Sequence, residues 1–65
     1  MNMERHFREY ILKVYGEPVD HGLRWEYIDT YIFDGLKFEV YRVNWYNMGD
    51  FLRETVIPIV SKVEG

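Results

Sequence analysis

The 65-residue sequence contains no cysteine, so no disulfide staples the chain and the cross-linked scaffold class of small secreted domains is excluded. Histidine is scarce. His6 and His21 stand apart, and no Cys/His/Asp spacing of a structural zinc site occurs, so the fold is expected to hold by packing or association, with no metal and no cofactor. Long hydrophobic runs are missing too. The uncharged stretch Thr55 to Ser61 is far too short to span a bilayer, and the N-terminus MNMERHFREY is charged where a secretory leader would be apolar. A soluble, cytoplasmic protein without a membrane contact is the expectation.

Charge of a single sign is not concentrated anywhere. Eight basic and eleven acidic side chains give a net charge of −3, and the signs alternate along the chain. Binding to nucleic acid draws its affinity from neutralised phosphates, which a mildly acidic chain without a basic stripe does not offer. There is no nucleophile elbow, phosphate loop or paired-carboxylate motif, so the chain is read as no enzyme and as having no small-molecule substrate. Asp20 beside His21 is a solvated turn pair rather than a proton relay, and His6 is a rim residue of a helix.

What the sequence does have is apolar and aromatic side chain, 48% and 18% of its residues, which argues for a folded α+β domain spanning residues 1–65. Over residues 3–15, Met3, Phe7, Tyr10, Ile11 and Val14 share one helical face. Glu4/Arg8, Arg5/Glu9 and Glu9/Lys13 are spaced for ion pairs on the other, and Gly16 followed by Pro18 ends the helix. A β-hairpin follows over residues 23–45. Leu23 to Phe33 and Leu36 to Trp45 are rich in β-branched and aromatic residues, and Asp34-Gly35 between them is a two-residue turn signal. Met48-Gly49-Asp50 closes the hairpin, with Asp50 placed to cap what comes next.

The last segment, residues 51–63, admits two readings. As a helix it lines up Leu52, Val56, Ile59 and Val63, with Val60 beside them, at the cost of an interior Pro58 of about 3 kcal/mol. As a strand it is an edge strand with Pro58 where the absent N–H faces solvent. The helical reading is favoured, which makes the order α-β-β-α, with α-β-β-β as the alternative.

A two-residue turn places Trp25, Tyr27, Tyr31, Phe33, Leu36, Phe38 and Val40 on one face of the hairpin, interrupted by Asp29, Arg42 and Asn44. Ile28, Ile32, Tyr41, Val43 and Trp45 lie on the other among Arg24, Glu26, Thr30, Lys37 and Glu39. A three-residue turn would shift the second strand by one and exchange these memberships. The richer first face is taken as the floor of the core, with Asp29 and Arg42 paired across it. The remaining segments can roof only one side. The second face is therefore expected to bind a partner through Ile28, Ile32, Tyr41, Val43 and Trp45, rimmed by Lys37 and Glu39. On this reading Trp45 and Tyr41 carry association, and Phe38 carries the fold.

The leading expectation is a small non-enzymatic protein-interaction module or inhibitor, a complete small gene product that occupies a larger partner. The alternatives are an obligate homodimer with a structural or regulatory role, and a weak binder of single-stranded nucleic acid that stacks bases on Tyr41 or Trp45.

Overall fold

The expected helix is present as α1, Met3–Tyr15, in a computed structural model that describes residues 2–19, 22–46 and 52–63. Asn2 caps its start by accepting the Arg5 amide at 3.1 Å. At its end Gly16 takes a left-handed conformation, φ 69°, and donates its N–H to the Leu12 carbonyl. The ion pairs Arg5–Glu9 and Glu4–Arg8 form on the outer side. Phe7 and Ile11 are fully buried, Met3 and Tyr10 pack beside them, and Val14 points to solvent instead of joining the stripe. The Met48-Gly49-Asp50 turn and the Asp20-His21 pair lie outside the described residues.

Three strands follow: β1 Arg24–Phe33, β2 Leu36–Tyr46 and β3 Leu52–Lys62, in one antiparallel sheet ordered β1-β2-β3. The C-terminal segment is thus a strand, and the order is α-β-β-β rather than the favoured α-β-β-α. The reason lies in its composition. Thr55, Val56, Ile57, Ile59 and Val60 are β-branched residues that lose little by extending and that pack well on a pleated surface. Pro58 is tolerated because β3 is an edge strand. Its carbonyl is turned off the sheet to within 3.4 Å of His6 Nε2, and in an extended residue the nitrogen faces the same way, so the ladder to β2 loses no donor.

The hairpin turn has two residues, Asp34 and Gly35, both with positive φ, and Phe33 pairs with Leu36, Tyr31 with Phe38 and Asp29 with Val40 as expected. Beyond that point the register slips. Tyr27 pairs with Tyr41, not Arg42, and Trp25 with Val43, not Asn44, so Ile28 is one residue in excess on β1. The slip runs in the opposite direction to the one a three-residue turn would give, but it has the same effect on the faces, bringing Trp25 and Tyr27 to the side of Tyr41, Val43 and Trp45.

This bulge decides the faces. Trp25 and Tyr27 join Tyr41, Val43 and Trp45 on the side that meets α1, together with Ile57 and Ile59 from β3. The Phe7 ring lies 5.5 Å from Trp25 and 5.6 Å from Tyr41, and Tyr15 lies 5.8 Å from Trp45. Val19 and Leu23 close the same core from the connection between α1 and β1. Arg8 fastens that connection by donating to the Val19 carbonyl, and Glu17 accepts the Trp45 indole N–H at 3.2 Å while pairing with Arg53. The expected floor of the core and the expected open face are exchanged: Val43 and Trp45 are 0% and 1% exposed.

Removing the Trp45 side chain should cost about 3–5 kcal/mol, most of the roughly 3–10 kcal/mol available to a domain of this size, whereas Val60→Ala should cost under about 1 kcal/mol. Urea denaturation of the two variants measures both, and comparable losses would show that the two faces are not distinct.

Candidate functional site

A 13-residue helix reaches about 20 Å, while an 11-residue strand runs about 36 Å. Helix α1 therefore covers only the part of the sheet around Tyr41 to Trp45, and only from one side. The hairpin tip projects past it, which gives the molecule extents of 45 × 18 × 18 Å. No other described element covers the opposite side.

That open side is built in rows across the three strands. Phe33 sits beside Leu36 in the row nearest the turn, with Lys62 on the other side; Tyr31 lies beside Phe38 and Val60 in the next, and Val40 between Asp29 and Pro58 in the third. Phe33 is 73% exposed and Tyr31 55%, while Leu36, Phe38 and Val40, on the central strand, are half-buried by their neighbours alone. The three rows from Leu36 to Val40 cover roughly 300 Å² in projection, the low end of the range for the largest apolar patch on a lone chain. Next comes a charged row in which Arg42 reaches Glu26 on one neighbour at 3.6 Å and Glu54 on the other at 3.2 Å. These pairs are exposed and add little stability. Their effect is to bound the apolar rows on one side.

The structure separates the residues expected to bind a partner. Val43 and Trp45 are core, and Tyr41 is half-buried against Phe7 and Tyr27. Lys37 and Glu39 form an ion pair at 3.7 Å on the helix side of the sheet. Ile28 is the bulged residue, and Ile32, 68% exposed, lies on the helix side near the turn, beyond the reach of α1. Asp29 is exposed and accepts the Thr30 amide, so the Asp29–Arg42 pair expected on the core face does not form. Among the described residues no group of three His, Cys, Asp or Glu side chains is placed to hold a metal ion. No described helix is long and apolar enough to cross a membrane.

The chain matches no protein-family model, no curated protein and no solved structure. The site therefore rests on its own geometry. Sequence reasoning missed Tyr31, Phe33, Phe38, Val40, Val56 and Val60 as its members. The signal that could have found them is the alternation within β3, where Ile57 and Ile59 point one way and Val56, Pro58 and Val60 the other. A strand greasy on both sides implies a sheet greasy on both sides.

Tyr41 carries the one titration that reports on packing at the helix side. Burial holds its phenol above the ordinary tyrosine value, and the Glu39 carboxylate, which accepts its hydroxyl at 3.4 Å, adds to the effect by repelling a phenolate. A folded-state value above the unfolded one means the native state keeps its proton longer. This contribution to stability is therefore complete below about pH 10 and is lost as pH rises through the folded value. Tyrosinate absorbance should show Tyr41 ionising above the ordinary tyrosine value, and Glu39→Gln should bring it down. An unchanged titration in Glu39→Gln would remove the carboxylate from this account.

Proposed function

We propose that this protein is a non-enzymatic interaction module that binds another polypeptide through the open face of its sheet, with Tyr31, Phe33 and Phe38 as aromatic anchors and Leu36, Val40 and Val60 filling the gaps between them. The observation that carries this reading is the coverage mismatch: a sheet apolar on both sides with a helix on one. Phe33, the most exposed of these side chains, contributes about 1.5–3 kcal/mol when a partner takes it out of water, and the half-buried Leu36, Phe38 and Val40 contribute less. Aromatic residues at the centre of such a patch supply binding energy, while a charged border such as Glu26, Arg42 and Glu54 sets orientation.

The runner-up, a stacking platform for single-stranded nucleic acid, draws support from the same aromatic rings. Its weakness is charge. Arg42 is already shared by two carboxylates, and Asp29 and Glu26 lie along the same strand as Tyr31, so phosphate meets as much repulsion as attraction.

The Phe33→Ser, Val60→Ser double variant should keep the helix and sheet signals of the parent by circular dichroism. Used as bait in extract of the source cells, it should lose whatever the parent retains, with each replaced side chain weakening association roughly tenfold to a hundredfold. An unfolded double variant, or one that retains the same proteins, would remove the open face as the binding surface.

A further inference from the structure

We infer that the occupant of the open face is an amphipathic α-helix of another polypeptide, whose apolar ridge lies between a basic and an acidic residue about eleven positions apart. This rests on the open face being the binding surface, and three further observations select a helix. The first is width. β1 and β3 lie roughly 9.5 Å apart across β2, close to the diameter of about 10–12 Å of one helix with its side chains. The exposed Tyr31 on β1 and Val60 on β3 flank the half-buried Phe38, which makes a shallow trough along β2. The chain itself supplies the precedent. On the other side of the same sheet, α1 sets Met3, Phe7 and Ile11, each one helical turn from the next, against the strands. A helix on the open face completes three layers of helix, sheet and helix.

The second is charge. Two charged side chains border the apolar rows without an ion-pair partner among the described residues: Lys62 in the Leu36 row on β3, and Asp29 in the Val40 row on β1. They stand at opposite corners of the patch, two rows and two strands apart, a span of roughly 16 Å. Eleven residues of α-helix rise about 16.5 Å and complete about three turns, so residues with that spacing share a face. A basic side chain at one end of the ridge meets Asp29, and an acidic one at the other end meets Lys62. Reversing the helix exchanges which comes first, so the corners fix the two charges and not the chain direction.

The third is the state of the sheet's edges, where an extended partner segment would add as a further strand. Pro58 and the His6 side chain occupy the outer side of β3. On β1, hydrogen-bonded pairs alternate from Phe33–Leu36, so Thr30 turns its amide away from β2, and the Asp29 carboxylate accepts that amide at 2.8 Å. The Ile28 bulge interrupts the same edge. An added strand finds only short runs of free backbone there. The face, and not an edge, receives the partner.

The probe is an alanine-based peptide of about fourteen residues, blocked at both ends, with glutamate and lysine eleven residues apart and leucine three, four and seven residues after the glutamate. Titrated into the full chain at low salt, it should bind saturably below about 1 mM and gain helical circular dichroism as it binds. Peptides with glutamate at both charged positions, or lysine at both, should bind about threefold to tenfold more weakly. Asp29→Lys should reverse the order in favour of the double-glutamate peptide, and Lys62→Glu in favour of the double-lysine one. Both positions are exposed, and should Asp29→Lys fail to fold, Lys62→Glu alone tests the reversal.

Three peptides of equal affinity overturn a helix registered by Asp29 and Lys62. Binding without a gain of helix, or no saturation by about 1 mM, overturns the helix as occupant. The Phe33→Ser, Val60→Ser variant should lose the peptide, and equal binding by that variant overturns the open face as the helix site. If the peptides fail while that variant still loses a protein that the parent retains from extract, the binding-face reading stands without the helix. If both fail, both readings fall.

Discussion

One surplus residue in β1 governs the arrangement of the sheet. Ile28 has no partner on β2, and because side chains alternate strictly along a strand, that single insertion sends Trp25 and Tyr27 to one side and Tyr31 and Phe33 to the other. Without it, all four aromatic residues would crowd one face opposite a β2 that has aromatic residues on both. With it, Trp25 lies against Phe7 and Tyr27 against Tyr41 at the exposed margin of the helix side, while Tyr31 and Phe33 extend the face that stays open. The bulge therefore divides the aromatic residues of β1 between the margin of the core and the candidate site in one step.

The helix selects its side through a few anchors near the open end of the hairpin. Trp45 offers both a large apolar body and an indole N–H that must find an acceptor when buried, and Glu17, just past the helix, supplies it. Tyr15 reaches Thr55 on β3 at 2.7 Å, and Val19 and Leu23 pack beneath the connection. These contacts sit at one end of the sheet because the chain has only a short connection between α1 and β1. The far end, around the Asp34-Gly35 turn, is held by β-pairing and by the Val63 amide on the Gly35 carbonyl. The buried core and the open apolar rows are in this way concentrated at opposite ends of one elongated molecule.

Much of the architecture was legible in the residues. The helix between Asn2 and Gly16, the hairpin about Asp34-Gly35 and the presence of an apolar surface left uncovered all follow from periodicity, turn chemistry and length. The third strand was visible only as an alternative, because Leu52, Val56, Ile59 and Val63 also satisfy a helical period. The β-branched run and the edge placement of Pro58 outweigh that coincidence. Val43 and Trp45, expected at the surface, became the centre of the core, and Phe38, expected in the core, became the middle of the open face.

By itself the sequence determined the first helix, the hairpin about Asp34-Gly35 and that this hairpin is apolar on both faces, while it left residues 51–63 open between helix and strand. Only tertiary structure decided which side the helix takes, since local propensities and turn chemistry are the same whichever face is up. A bulge has no local signature at Ile28 and is set by how Trp25 and Tyr27 pack against Phe7 and Tyr41, contacts between residues distant along the chain.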